Sequence, residues 1–175
     1  LMINSYLMFE SDRLWIRPTT EEDAHLILEV FNSPGALTFI GDRNIRSIND
    51  AIKFIQDRTL KQLNTLGFSN FTLIEKLTGT KVGVAGLFKR PSMVTVDLGY
   101  ALLPEFEKRG FAREASRCLL KVAKDKFSLT ILSAITHPKN QSSKRLLEDL
   151  GFKFIDQRVV EGIQETSDYY EITLE

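Results

Sequence analysis

The sequence predicts an α+β fold in which a mixed, mostly antiparallel sheet of about seven strands is flanked by about four helices. Three observations support this prediction. Apolar residues recur at helical spacing through much of residues 20–67, strand-like runs separated by turn residues occupy 69–103, and helices alternate with strands after residue 110. No repeat, low-complexity tract or linker interrupts the chain, so residues 1–175 are expected to form a single domain.

The composition is typical of a globular protein and argues against several classes of function. Hydrophobic residues make up 43% of the chain and charged residues 26%. Basic and acidic residues number 23 each, and this zero net charge argues against nucleic acid as a partner. No apolar run approaches the ~20 residues needed to cross a bilayer. Cys118 is the single cysteine, so we expect neither an internal disulfide nor a metal cluster, and we predict a cytoplasmic protein.

The first part of the chain is predicted to be one strand followed by helices. Residues 13–18, RLWIRP, alternate apolar and basic side chains as a strand does. Thr20 and Asp23 have the spacing of a capping box, which predicts a helix over 22–32. Residues 33–41 are predicted to form a turn and one short helix. Ser47 is expected to cap the next helix, which Gly67 ends.

The rest of the chain is predicted to add six strands and two helices. The first three strands form an antiparallel meander, because LTGT and KRPS between them are typical turn sequences. The predicted strands are 69–76, 81–88, 93–103, 129–136, 152–160 and 168–174. The predicted helices are 110–127 and 140–150, the second closed by Gly151.

The start of the helix at 110–127 has the composition of an anion-binding site. A helix N-terminus presents free backbone N–H groups and a partial positive charge. Lys108, Arg109 and Arg113 add full positive charges, and Gly110 lets a ligand approach the backbone. This pattern indicates a phosphate or pyrophosphate site, although an ordinary solvated helix start has the same composition. Neither a P-loop nor a dinucleotide-binding glycine motif is present.

Three segments of the sequence resemble one known family. Residues 99–115, GYALLPEFEKRGFAREA, are similar to motif A of the GNAT acyltransferases, where a Gln/Arg-x-x-Gly-x-Gly/Ala turn follows a splayed strand and binds the pyrophosphate of acetyl-CoA. Residues 10–24, ESDRLWIRPTTEEDA, and 140–152, NQSSKRLLEDLGF, resemble the ribosomal-protein-alanine, or Rim-type, branch of that family. The segments occur in family order. This chain departs from the pattern at Glu107, where the family has Gln or Arg.

The resemblance implies a GNAT-like domain with acetyl-CoA as co-substrate and no metal. The sheet should separate, or splay, between predicted strands 4 and 5, and we expect a β-bulge at Gly99 and Tyr100 to produce this splay. The pantetheine arm should pair with the backbone of Tyr100 to Leu103, Asn140 should help to hold it, and the pyrophosphate should bind at 108–113. The implied cofactor-binding residues are Tyr100, Ala101, Leu102, Leu103, Lys108, Arg109, Gly110, Phe111, Ala112, Arg113 and Asn140.

The resemblance also implies direct attack of an amine on the thioester, which needs a base for the amine proton and an acid for the leaving thiolate. Asp97 is the predicted base, with a solvent-facing or loop-orienting carboxylate as the alternative. Ser143 is the predicted acid, and it also has the position of a helix-capping residue. The fallback acids are Tyr169 and Tyr170. Cys118 is assigned to core packing, His25 to the surface or to packing, and His137 to a loop near the site.

The sequence therefore leaves two possible functions. The first is an amine N-acetyltransferase whose acceptor is either a protein N-terminus or a small-molecule amine. The second is a non-catalytic acyl-CoA-binding module. We expect residues 33–47 and 157–168 to recognise the acceptor, because variable loops usually do so. Nucleic acid and membrane are not expected as partners, and homodimer formation is left open.

Overall fold

The computed structural model describes residues 7–163 and 165–175 and has the predicted α+β architecture. In these residues the strands are β1 Phe9–Glu10, β2 Leu14–Pro18, β3 Asn70–Glu75, β4 Lys81–Lys89, β5 Val96–Leu102, β6 Ile131–Thr136, β7 Lys153–Val159 and β8 Thr166–Thr173. The α-helices are α1 Ala24–Phe31, α2 Pro34–Phe39, α3 Ile48–Phe54, α4 Lys61–Leu66, α5 Phe111–Asp125 and α6 Gln141–Asp149.

All strands belong to one sheet with the order β1-β2-β3-β4-β5-β6-β8-β7. Every neighbouring pair is antiparallel except β5 and β6, which are parallel. The sheet has eight strands because the two-residue strand β1 adds to the seven predicted ones. A two-residue strand is too short to produce an alternating pattern in the sequence.

The predicted splay is present between β5 and β6, which are the fourth and fifth of the strands predicted from sequence. These strands pair only at Val96 with Leu132 and at Asp97 with Ser133. Beyond Asp97, β5 continues to Leu102 in register with β4 but has no further pairing with β6. The unpaired half of β5 therefore borders a gap in the sheet.

The bulge expected at Gly99 and Tyr100 is wrong for the β4–β5 pairing. The register runs from Val96 to Leu102 without a shift, so the gap arises because β6 leaves β5 and not because β5 is kinked against β4. Gly99 has a steric role instead. It pairs with Gly86, and a Cβ atom on Gly99 would lie 3.1 Å from the ring of Phe88, while one on Gly86 would lie 2.6 Å from it.

The helix boundaries follow the capping residues that the sequence predicts. The predicted Thr20–Asp23 capping box precedes α1, and the predicted cap Ser47 accepts a hydrogen bond from the first turn of α3. Ser33 caps α2 in the same way, although it was not predicted to do so. Gly67, with a φ angle of 82°, ends α4. The helix predicted between Ser47 and Gly67 is interrupted by a π-helical turn at Ile55–Leu60, for which the sequence pattern has no signal.

The core lies between the sheet and its helices. α1 contacts β4 and β5, α5 contacts β2, β4 and β5, and α6 contacts β6. Phe71 of β3, together with Phe111 and Leu119 of α5, is fully buried. Cys118 packs against this core, as predicted, and burial raises the pKa of its thiol. No helix among the described residues is long and apolar enough to cross a membrane.

Candidate active site

A cleft of about 1210 Å³ crosses the sheet where β5 and β6 separate. Side chains alternate along a strand, so Asp97 and Tyr100 project from opposite faces of β5. Both residues line this cleft. The cleft is thus continuous from one face of the sheet to the other. We name two parts of its wall by the residues that line them: the α5 end, at Lys108–Arg113, and the α2 end, at Ile40 and Arg43, where Arg43 lies near Arg58 and Arg90.

Most of the predicted cofactor-binding residues lie together at this cleft. Those that line it are Tyr100, Ala101, Leu102, Lys108, Gly110, Phe111, Ala112, Arg113 and Asn140. Two predicted residues do not line it. Leu103 is buried, and its N–H donates to the carbonyl of Val82. The guanidinium of Arg109 lies 3.4 Å from Glu75 and stacks on Phe106 and Phe111. The positive charge of Arg109 is therefore directed away from the cleft.

The start of α5 is shaped for the close approach of an anion. The N-cap residue Gly110 has a φ angle of 85° and provides no capping side chain, so the N–H groups of the first helical turn are left for a ligand. Lys108, with a φ angle of 59°, lines the same surface. Arg113 forms an ion pair with Asp149 of α6. The backbone N–H groups, Lys108 and Arg113 fit a pyrophosphate.

Arg13 supports this helix start, although sequence analysis treated it only as part of a strand. Its Nε lies 2.7 Å from Glu114 Oε2 on α5, and its Nη1 donates to the carbonyl of Arg109 at 3.0 Å. A Cβ atom on Gly110 would lie 3.2 Å from Arg13 Nη2. Arg13 thus fixes the turn before α5 to the start of β2. Its presence in the ESDRLWIRP segment is the only sequence signal for this role.

Asp97 is a buried carboxyl group whose environment suits a proton acceptor. Its side chain is 1% exposed, so the alternative of a solvent-facing carboxylate is wrong. Oδ2 accepts a hydrogen bond from Arg90 Nε at 3.1 Å, and the backbone N–H of Ile135 also faces this carboxyl group. Burial raises the pKa of Asp97 to about 6, against the opposing effect of Arg90. A carboxylate with this pKa is mostly ionised at neutral pH and is more basic than an exposed one.

Ser143 takes part in the cap of α6, as its position suggested, and its hydroxyl lies where a proton donor to the cleft could act. Its N–H donates to Asn140 Oδ1 at 3.1 Å, which is the helix-capping hydrogen bond of α6. Its Oγ accepts a hydrogen bond from Tyr100 Oη at 3.2 Å, and it faces the cleft. Because Tyr100 donates to this oxygen, the hydroxyl proton of Ser143 is free to be donated elsewhere. Burial raises the pKa of Tyr100, so this phenol keeps its proton.

The other predicted candidates occupy less favourable positions. Tyr169 and Tyr170 are each 2% exposed and are not part of the cleft wall. Tyr169 Oη contacts Thr95 Oγ1 and Glu171 Oε1. His137 lines the cleft, but its Nε2 lies 2.7 Å from Glu165 Oε2, and its ring packs against Phe39. His25 is exposed on α1, as expected for a surface residue.

Three arginines at the α2 end were not singled out by sequence analysis. Arg43 follows α2, Arg58 lies in the π-helical turn, and Arg90 lies in the turn between β4 and β5. Arg43 falls inside the predicted acceptor segment 33–47, and residues of the second segment, 161–163 and 165–167, line the cleft as well. The three arginines are far apart in the chain, and no spacing rule connects them.

Comparison with known proteins assigns this fold and cleft to a family. Residues 13–153 match the model of the acetyltransferase (GNAT) domain. The chain belongs to the GNAT acetyltransferases. It is therefore an acetyl-transferring enzyme, and the non-catalytic alternative loses its basis. The GNAT match includes the segments 99–115 and 140–152 completely and the first segment from Arg13 onwards, and it ends at Lys153, the first residue of β7.

Individual GNAT relatives are similar along most of this chain. The uncharacterized N-acetyltransferase YoaA of Bacillus subtilis (strain 168) is 26% identical over 147 residues, which are 83% of this chain and 82% of that protein. The ribosomal-protein-S5-alanine acetyltransferase of Vibrio fischeri has a TM-score of 0.75 at 19% identity and covers 96% of this chain and 97% of its own. The microcin C7 self-immunity acetyltransferase MccE, solved with acetyl-CoA and AMP, has a TM-score of 0.74 at 16% identity and covers 93% of both chains.

Proposed function

We propose that this protein transfers the acetyl group of acetyl-CoA to a primary amine by direct attack, with Asp97 as the base and Ser143 as the acid. The observation that carries the proposal is that both side chains line one cleft that crosses the sheet. The amine acceptor is a protein N-terminus or a small-molecule amine. The sequence similarity to the Rim-type branch supports the first, and the acceptor class is developed in the next subsection.

The α5 end of the cleft has the features that acetyl-CoA requires. The N–H groups at the start of α5, with Lys108 and Arg113, would hold the pyrophosphate. Beyond Asp97, β5 has no partner strand on the β6 side, so its free backbone groups from Tyr100 to Leu102 would pair with the pantetheine arm. Asn140 uses its Oδ1 in capping α6, and its Nδ2 remains available to the same arm.

The bound co-substrate supplies an acetyl thioester, and the chain supplies proton transfer. The acceptor nitrogen forms a bond to the acetyl carbon while the carbon–sulfur bond breaks. Asp97 takes the proton that the nitrogen loses, directly or through one water, because its raised pKa makes it a better proton acceptor than an exposed carboxylate. Ser143 donates its hydroxyl proton to the departing sulfur, and Tyr100 orients the Ser143 oxygen from the other side. Water then returns a proton to Ser143, and Asp97 releases the amine proton to water, so both groups regain their starting state.

One experiment tests this function directly. The purified protein is incubated with acetyl-CoA and a panel of primary amines, and free thiol release is measured beside calorimetric binding of acetyl-CoA. We expect binding together with amine-dependent thiol release. Asp97→Asn and Ser143→Ala should lower turnover by about 10² to 10⁴ and leave binding nearly unchanged. Binding without amine-dependent release by any acceptor would overturn the proposed reaction.

A further inference from the structure

The α2 end of the cleft contains a cluster of guanidinium groups that the proposed chemistry does not use. The cluster consists of Arg43, Arg58 and Arg90, and all three line the cleft. Arg90 is bound to Asp97. Arg58 packs over the ring of Phe54, with 5.9 Å between the guanidinium carbon and the ring centroid. Two of the three arginines are therefore without an anionic partner among the described residues.

Arg43 is the member of the cluster that most needs such a partner. Its side chain is half-buried, and its Nε atom is buried without a hydrogen-bond partner in the described part of the chain. Burial, together with the charges of Arg90 and Arg58, lowers the pKa of Arg43. A buried donor without an acceptor is costly, and an unpaired buried charge is more so. An arrangement of this kind is stabilised when an anion binds to it.

The carboxylates of the same cleft do not supply that anion. Asp97 is held by Arg90, and Glu165 is held by His137. Asp57, Glu107 and Glu161 also line the cleft, but none of them forms an ion pair with Arg43 within residues 7–163 and 165–175. The remaining source of negative charge is a ligand that enters the cleft.

We propose that the amine acceptor bears an anionic group, a carboxylate or a phosphate, that binds to Arg43 and Arg58 at the α2 end of the cleft. The planar guanidinium donates paired N–H groups that match the oxygens of either anion. Asp97 is paired with Arg90, the third member of the cluster. It would then receive the proton of the amine at the other end of the acceptor. This inference rests on the proposed function. It also disfavours polycationic acceptors, which Arg43 and Arg58 would repel.

The π-helical turn at Ile55–Leu60 supports an assignment to binding. Single π-helical turns interrupt α-helices at a cost in regular hydrogen bonding, and they are frequent at functional sites. Here the turn contains Asp57, Arg58 and Thr59, all of which line the cleft. Its place between α3 and α4 puts Arg58 on the cleft wall, close enough to Arg43 for the two charges to interact.

The first test compares acceptors that differ only in the anion. In the first series, each primary amine carries either a carboxylate or the corresponding carboxamide. In the second series, each carries either a phosphate monoester or the corresponding free hydroxyl group. We expect kcat/KM to favour the charged member by about 10- to 100-fold in one series, which identifies the anion. Arg43→Gln should abolish this preference, Arg43→Lys should keep part of it, and Arg117→Gln, at an exposed position outside the cleft, should keep all of it. A neutral acceptor that performs as well as its charged partner in both series would overturn the inference and leave the acetyltransferase activity intact.

The second test does not depend on turnover. The protein is first saturated with CoA, which fills the α5 end, and inorganic phosphate is then titrated by calorimetry. The wild type and Arg117→Gln should bind phosphate, and Arg43→Gln should bind it at least about 10-fold more weakly. Equal phosphate binding by wild type and Arg43→Gln would contradict the site. Loss of phosphate binding on CoA saturation would assign Arg43 to the co-substrate instead. Failure of CoA itself to bind would contradict the proposed function, so the two failures are distinguishable.

Discussion

The phenol of Tyr100 donates a hydrogen bond to the hydroxyl oxygen of Ser143 across a distance of 3.2 Å. This bond connects β5 to the first turn of α6, on the side of the splay that β5 leaves unpaired. Ser143 therefore has one hydrogen bond that fixes its backbone and another that fixes its hydroxyl. A residue held in this way is suited to deliver a proton to one fixed place.

If Ser143 is the acid, Ser143→Ala should lower kcat by about 10², at the lower end for a general acid because thiolate is a good leaving group. Tyr100→Phe should have a smaller effect, since it removes only the orienting bond. The double variant should be no worse than Ser143→Ala, because the two groups act together. Stopped-time thiol release measures the rates, and calorimetry should show unchanged acetyl-CoA binding. Tyr169→Phe serves as the control, because it removes a phenol hydroxyl outside the cleft. If it lowers kcat as much as Ser143→Ala does, the assignment of Ser143 as the acid is wrong.

The pKa of about 6 at Asp97 predicts a break in the pH profile. Below that pH the carboxyl is protonated and cannot accept the amine proton, so kcat/KM should fall. With an acceptor whose amine titrates near pH 8, the wild type should show a second break near pH 6. Asp97→Asn should lower the rate and remove this second break, while the exposed variant Asp125→Asn should keep it. A profile of Asp97→Asn that superimposes on the wild type would remove Asp97 from the chemistry.

The start of α5 predicts how glycine replacement affects co-substrate binding. Gly110→Trp should abolish measurable acetyl-CoA binding in calorimetry, because the indole would fill the approach to the helix N-terminus. Gly79 is a matched control, since it also has a positive φ angle, 71°, but lies in open space away from the cleft. Gly79→Trp should therefore cause similar backbone strain and still bind acetyl-CoA with the affinity of the wild type. Equal affinities of the two variants would remove the pyrophosphate assignment.

Glu107, the departure from the family motif, lines the cleft, and its Oε1 lies 3.5 Å from a Cβ built on Gly35. A carboxylate on this wall should weaken the binding of a pyrophosphate. Glu107→Gln should tighten acetyl-CoA binding by about 2- to 5-fold at low salt and by less at high salt. Glu105→Gln, an exposed neighbour outside the cleft, serves as the control. If Glu107→Gln weakens binding instead, the carboxylate supports the loop and the electrostatic argument is wrong.

The buried Asp23 predicts an acid-sensitive fold. Burial alone would raise the pKa of Asp23, but hydrogen bonds from Arg17 and Lys81 outweigh it and hold the pKa well below its usual range. A carboxyl with a lowered pKa stabilises the fold above its unfolded pKa of about 4, and this stability is lost as the pH falls below that value. Asp23→Asn should cost about 3–5 kcal/mol in urea unfolding at pH 7 and flatten the acid limb. The exposed variant Asp12→Asn should do neither, and a cost below about 1 kcal/mol for Asp23→Asn would contradict this role.

The sequence by itself determined the elements whose signals are local. Capping residues such as Thr20, Ser47 and Gly67 set helix boundaries because each satisfies backbone groups within its own turn. The start of α5 at Gly110 was predicted to be an anion site on equally local grounds, since a helix N-terminus presents its own backbone N–H groups.

Only the tertiary structure decided how groups distant in the chain combine. The burial of Asp97, its pairing with Arg90 and the bond from Tyr100 to Ser143 depend on which strands separate, and no local pattern contains that information. The orientation of the Arg109 side chain also depends on the folded structure, because Glu75, which attracts it away from the cleft, is distant in the sequence. The arginine cluster at Arg43 is the clearest case, because its electrostatics arise from three separate segments that meet only when the chain is folded.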